Sequence, residues 1–176
     1  MRRLLTFLLL FSLFLLPAAA SISPCYDAFG RVTVVRDSQL ALGGGVSGGV
    51  EAGRARFELY FLGDYYMEPL GGDGYAASRE FSLECGASAS WKLFTAWKVN
   101  GYLGADLGCF MQFGKVKQDP DAGTVMGHVG IMARVKLMAE LDAFKYWKLS
   151  LGVYYQQPLM PDYDDYRGIG FLLSLL

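Results

Sequence analysis

From Thr124 to Leu141 the chain reads TVMGHVGIMARVKLMAEL. Its odd positions, from Val125 through Val129, Ile131, Val135 and Leu137 to Leu141, are all apolar or small, while His128, Arg134, Lys136 and Glu140 are even. Residues two apart share one face of a strand, so this pattern predicts a long strand, greasy on one side and charged on the other. Gly127, Gly130 and the β-branched residues oppose a helix here. The same alternation predicts seven more strands: Tyr26 to Val35, Leu40 to Val50, Ala55 to Tyr66, Ser78 to Ser90, Trp97 to Gly114, Trp147 to Gln156 and Arg167 to Leu175. Taken in order, eight strands make the chain all-β.

The connections add the topology. Glu51 to Arg54, Trp91 to Ala96 and Asp142 to Tyr146 are short. Met67 to Ala77, Lys115 to Gly123 and Gln157 to Tyr166 are longer, and only Asp37 to Gln39 breaks the alternation. Alternating short turns and long loops is the habit of an antiparallel up-and-down barrel, with the fifth and sixth strands long enough to project past its outer end. FTAWKVN, Phe94 to Asn100, and FKYWKLS, Phe144 to Ser150, echo each other as two short turns opening strands on one side.

The first 23 residues, MRRLLTFLLLFSLFLLPAAASIS, stand outside this pattern. Arg2 and Arg3 precede an apolar run from Leu4 to Leu16, and Ala18 and Ala20 supply small residues for cleavage. Residues 1–20 read as a secretory signal peptide and residues 21–176 as one exported domain. The chain is 53% hydrophobic and 15% aromatic, yet no later segment is apolar for the 18 residues that a spanning helix needs. A net charge of −1 gives no basic face for nucleic acid. Three cysteines, Cys25, Cys85 and Cys109, do not make a disulfide framework. Pro24 before Cys25 is a poor lipid-attachment context, and Cys25 reads as a stray thiol. Cys85 and Cys109 share the apolar face of adjacent strands, but a turn centred near Phe94 staggers them by several residues, too far for a bond.

Alternation does not say which face points inward. Three features place the charged face inside and the apolar face against a membrane. Small residues crowd the polar face: Gly43, Gly45, Ser47, Gly49, Gly86, Ser88, Gly104, Gly108, Gly130, Gly152, Gly168 and Gly170. A narrow lumen needs them between long side chains. Aromatics gather at the strand ends, Trp91, Phe94, Trp97, Phe144, Tyr146 and Trp147 at the short turns, Tyr65, Tyr66, Tyr75, Phe113, Tyr155, Tyr163 and Tyr166 toward the long loops, as two interfacial belts would require. The apolar faces carry no charge through the strand middles; Arg79 and Lys117 depart from this only at loop-side ends. Closure into a cylinder then satisfies every backbone group in hydrocarbon.

Inside, Arg56, Lys98, Arg134, Lys136 and Lys148 face Glu58, Asp64, Glu80, Glu84, Asp106 and Glu140, with His128 among them. Five positive against six negative charges predict a paired network filling the lumen, with Asp106 near Arg134 and Glu140 near Lys148 by hairpin register. A gated solute path is the alternative. His128 has no hydroxyl nucleophile in GHVG and reads as a lumen-filling residue rather than a catalytic base. Asp162, Asp164 and Asp165 in PDYDDY read as a solvated acidic loop, not a cation site. No metal and no cofactor is expected.

Over most of its exported part the chain resembles the small outer-membrane barrel superfamily, of which the OmpA transmembrane domain, OmpX and OmpW are members. LDAFKYWKLSLGVYY, Leu141 to Tyr155, and a closing amphipathic strand at the C-terminus carry the resemblance. Members end in an aromatic residue read by the assembly machinery; here the end is FLLSLL and Phe171 is the last aromatic. The resemblance implies an integral outer-membrane protein of a diderm bacterium, with membrane lipids and the barrel assembly machinery as partners. It implies a structural or surface-interaction role, the long loops meeting host or environmental molecules. The alternatives it brings are a narrow OmpW-type channel and, less favoured, a lipid-modifying enzyme.

Overall fold

The computed structural model describes residues 22–35, 39–70, 79–114, 125–142, 147–160 and 166–175, with 68–70, 79–80 and 125–128 entering through their backbone alone. The proposed signal segment 1–20 lies outside them. Eight strands follow one another: β1 (Ile22–Val35), β2 (Leu40–Ala52), β3 (Ala55–Leu70), β4 (Arg79–Ala96), β5 (Val99–Gly114), β6 (Val125–Leu141), β7 (Leu149–Pro158) and β8 (Gly168–Leu175). Each pairs antiparallel with its neighbour, and β1 pairs with β8, so the sheet closes on itself in chain order. Closure leaves no sheet edge running the length of the cylinder.

The registers fix the slant of the wall. A path of directly opposed residues starts at Leu141 on β6 and passes Leu149, Leu175, Ala28, Val46, Phe61, Cys85 and Cys109. It returns to β6 at Ile131, ten residues from its start. That displacement obliges the strands to tilt against the barrel axis, by about 35–45° for closed sheets of this kind.

Side chains alternate as the sequence predicts. Arg31, Thr33, Arg56, Glu58, Asp64, Glu84, Arg134 and Glu140 are buried, while Val32, Val34, Phe57, Leu59, Phe61, Leu107, Val135 and Leu137 are exposed. Among the residues whose side chains are described, no Asp, Glu, Lys or Arg takes an outward strand position.

Several large side chains lie directly across the ladder from a glycine. Tyr60 opposes Gly86, Phe110 opposes Gly130 and Tyr154 opposes Gly170 on the inner face; Phe94 opposes Gly101 on the outer. A Cβ at Gly101, Gly130 or Gly170 would run into the facing ring, and one at Gly86 would meet the Leu107 carbonyl oxygen and the Tyr60 hydroxyl. The ring covers the backbone that the glycine leaves bare, a pairing that also pins register.

Strand bounds differ from the sequence reading where alternation lapses. The stretch Trp91 to Ala96, expected as a turn, continues β4. A register shift between Lys92 and Phe94 puts Leu93 and Phe94 both outward, 48% and 54% exposed, and this bulge breaks the period of two. The turn that remains is Trp97 and Lys98. β1 starts earlier than expected, at Ile22. Pro24 is tolerated there because the ladder to β8 begins only at Ala28, so its missing N–H leaves no gap on that side.

The two tight hairpins share a backbone feature. Gly53 opens the first turn with φ 63°, and Trp97 opens the second with φ 55°. The left-handed region is open to glycine and costs an L-residue about 1–2 kcal/mol. Trp97→Gly is therefore expected to raise micelle-folded stability by about 1 kcal/mol, read as a higher urea midpoint, and Gly53→Ala is expected to lower it.

The glycine pairs yield a second expectation. Gly170→Val, which drives a side chain into the Tyr154 ring, should destabilise by about 1–3 kcal/mol in the same titration. At Gly30 a Cβ would meet nothing nearer than 4.0 Å. Gly30→Ala should be neutral or stabilise by a few tenths to about 1 kcal/mol.

Candidate functional site: a lumen packed with ion pairs

The inward side chains stack in layers along the barrel. Nearest the short turns, β2, β3, β4, β5 and β6 converge on Arg56. Its Nη2 donates to Glu140 Oε2 at 2.6 Å and to Glu51 Oε2 at 3.1 Å. Lys92 Nζ donates to Glu51 Oε1 and Lys148 Nζ to Glu140 Oε1, both at 2.9 Å. The Tyr102 ring lies under this group, 4.7 Å from the Arg56 guanidinium carbon and 5.4 Å from Lys92 Nζ. Glu140 is 1% exposed, so its charge is sustained by these cations rather than by water.

Midway, Lys136 Nζ lies 2.9 Å from Asp106 Oδ1 and donates to Ser88 Oγ at 2.9 Å. Ser47 Oγ donates to Glu58 Oε1 at 2.8 Å. Above them two bidentate pairs cross the lumen. Arg134 donates through both terminal nitrogens to the two carboxylate oxygens of Glu84, which also accepts from Tyr60 OH at 2.5 Å. Arg31 donates through Nε, at 2.7 Å, and through Nη2 to the carboxylate of Asp64. Tyr154 joins that pair, its ring 5.6 Å from the Arg31 guanidinium carbon and its hydroxyl 2.5 Å from Thr33 Oγ1.

These two pairs do not join neighbouring strands. Arg31 on β1 reaches Asp64 on β3 across Gly43 of β2, which stands directly opposite both. Arg134 on β6 reaches Glu84 on β4 past Gly108 of β5, where a Cβ would lie 2.6 Å from Glu84 Oε1. The bare backbone of the middle strand is the floor over which the charges meet.

At the end toward the long loops the filling turns apolar. Val35, Ala41, Tyr66, Phe110, Met132 and Tyr166 form one buried cluster. The Tyr66 and Tyr166 rings meet edge to face at 5.4 Å, and Phe110 lies 5.6 Å from Tyr166. Gln156 Nε2 donates to the Tyr166 carbonyl at 2.7 Å, fixing the approach to β8 over this cluster.

The predicted site residues distribute unevenly over this arrangement. Arg56, Glu58, Glu84, Asp106, Arg134, Lys136, Glu140 and Lys148 all point inward, and Glu140 pairs with Lys148. Asp106 and Arg134 are opposed in the ladder, but their ion pairs are with Lys136 and Glu84. A long arginine reaches past the adjacent strand, which hairpin register alone does not register. Lys98 is not in the lumen: it sits exposed in the two-residue turn, its Nζ 5.7 Å from the Trp97 ring. The side chains of Glu80 and His128 lie outside the described residues.

Of the predicted belt, Tyr65, Phe94, Trp97, Trp147 and Tyr155 are exposed, at 58%, 54%, 88%, 60% and 45%, and Trp91 is half-buried on the outward side. Phe144 and Tyr146 lie outside the described residues. Tyr66 is corrected: it is 3% exposed and belongs to the inner apolar cluster, as does Tyr166. Adjacent residues on a strand face opposite ways, so Tyr65 and Tyr66 are not both on one face. Cys85 and Cys109 are also corrected. Continuation of β4 to Ala96 moves the turn, and the two cysteines stand directly opposite each other.

The sequence reading missed Glu51 and Lys92, placed in turns, and the pairing of Arg31. Extending the alternation of 43, 45, 47 and 49 by one step reaches Glu51, and that of 86, 88 and 90 reaches Lys92.

No protein-family model and no curated protein matches the chain. Among solved structures it is similar to Neisserial surface protein A (NspA), with a TM-score of 0.61 and 16% identity over 90% of this chain and 96% of that one. It is also similar to the N-terminal β-barrel domain of Pseudomonas aeruginosa OprF, with a TM-score of 0.58 and 11% identity over 90% of this chain and 97% of that one. The likeness at these identities is one of fold. That fold is a closed eight-stranded antiparallel barrel.

Removing one member of a buried pair leaves the other charged and unpartnered. Arg134→Met should cost about 3–5 kcal/mol in urea unfolding from micelles, and Arg134→Met with Glu84→Gln should recover a large part of it. A loss in the double variant equal to the sum of the losses in Arg134→Met and in Glu84→Gln alone would show that the pair is not coupled.

Proposed function

We propose that the chain is an integral outer-membrane barrel that conducts nothing and acts by what it presents beyond the membrane, as a structural or surface-interaction protein. The observation that carries this reading is the filled lumen. From Arg56 to Tyr166 successive layers of ion pairs, hydroxyls and rings occupy the interior, and barrels of eight strands leave room for little else. The outer wall supports the placement. A charge facing lipid at mid-membrane costs about 2–4 kcal/mol, and none of the outward side chains among the described ones is charged.

The surface role is supported by the shape of the loop-side rim. The β6–β7 ladder begins at Met132, whereas β6 pairs with β5 from Val125 onward. β3 and β4 pair up to Leu70 and Arg79. Four strands, β3 to β6, thus stand taller than β7, β8, β1 and β2, and in sequence the segments 71–78 and 115–124 connect them. Host or environmental molecules are the proposed contacts of that wall; outer-membrane lipids and the barrel assembly machinery are its proposed partners in the membrane.

The test is electrical. Full-length protein folded into planar bilayers should give no discrete conductance steps, and variants with 71–78 and 115–124 replaced by short turns should still show the heat-modifiable gel shift of a folded barrel. Reproducible ion-selective steps would overturn the closed-lumen reading in favour of a narrow channel.

A further inference from the structure

Cys85 and Cys109 stand directly opposite each other in the β4–β5 ladder, both on the outward face and both free thiols in the structure. Opposed residues of an antiparallel pair have Cα atoms about 4.5–5.5 Å apart, inside the range of about 4.4–6.8 Å that a disulfide spans. Cys25, buried on the inner side of β1, faces neither of them. Of the three pairings that three cysteines allow, the fold matches one.

From this juxtaposition we infer that Cys85 and Cys109 are a disulfide-forming pair, closed across two strands of the wall before the barrel enters lipid. The timing follows from the surroundings. Phe61 opposes Cys85 on its other side and Ile131 opposes Cys109, so the pair is framed by apolar side chains. Exchange requires the oxidant's disulfide to reach the cysteine sulfur, and hydrocarbon packed over this face would bar a water-borne partner.

The oxidant is a protein disulfide of the thiol–disulfide exchange class, such as exported chains meet in oxidising compartments. The Cys85 thiolate attacks that disulfide and releases one oxidant thiolate. The Cys109 thiolate then attacks the Cys85 sulfur of the mixed disulfide and releases the other. Two electrons pass to the oxidant, whose two thiolates take up the two protons that the cysteines gave up. Once the wall is clad in hydrocarbon, water-soluble reductants have no route to the bond. This second half rests on the membrane placement proposed above, whereas the pairing rests on register alone.

The test uses the full chain purified from membranes without reductant. Thiols are blocked with N-ethylmaleimide in urea and the peptides are mapped by mass spectrometry. The expected result is a linked peptide joining Cys85 to Cys109, with the maleimide on Cys25 alone. Maleimide on all three cysteines, or a link through Cys25, would overturn the pairing. A second arm treats protein in lipid vesicles with a water-soluble phosphine for the time that fully reduces the urea-unfolded chain. Survival of the bond supports shielding. Its loss from the folded barrel keeps the pair but overturns the shielding, and with it the position of this face in hydrocarbon. In Cys85→Ser the link should vanish and Cys109 should label fully, while any new link to Cys25 would show that register does not select the partner.

Discussion

A charge inside a cylinder only eight strands around has almost no water to lean on, and pairing is the condition for its presence. Every other feature of the lumen follows from meeting that condition in a confined space. Arg134 and Glu84, or Arg31 and Asp64, are held two strands apart, and their side chains meet because Gly108 and Gly43 contribute no bulk between them. The glycine-rich inner face and the ion pairs are two halves of one solution. Filling the glycine positions would separate the charges, and neutralising the charges would leave the glycines as voids.

The same economy of space explains the rings. Tyr60, Tyr154 and Phe110 each lie over a glycine on the neighbouring strand. Tyr60 also donates its hydroxyl to Glu84, and the Tyr154 hydroxyl shares a hydrogen bond with that of Thr33. An aromatic ring with a polar tip fills volume and satisfies an acceptor at once. Toward the long loops, beyond the Arg31–Asp64 and Arg134–Glu84 pairs, the described filling includes Val35, Phe110, Met132 and Tyr166. Among the described residues the interior is thus polar toward the short turns and more apolar toward the long loops.

Much of this was legible in the chain itself. Period-two alternation located all eight strands and assigned Arg56, Glu84, Arg134 and Glu140 to the interior, because a one-residue error would flip every side chain of a strand. Strand ends were read less well. The bulge at Leu93 and Phe94 puts two apolar residues together, which alternation interprets as the end of a strand. That single lapse misplaced Lys98 into the lumen and separated Cys85 from Cys109. Contacts beyond the adjacent strand were not legible, since hairpin register relates only neighbours and the reach of Arg134 to Glu84 depends on closure and slant. The inward turn of Tyr66 was available from parity with Asp64, but an aromatic at a strand end reads first as an interfacial anchor.

Placing partners across a single intervening strand has a consequence for how such a chain is put together. Arg31 and Asp64 belong to β1 and β3, and Glu84 and Arg134 to β4 and β6. Each of these pairs is complete within three consecutive strands. A growing sheet can therefore discharge itself triplet by triplet, before the seam between β1 and β8 is sealed. For these two pairs the final act of zipping the ring shut has little electrostatic work left to do, whereas Arg56 on β3 and Glu140 on β6 meet across the lumen.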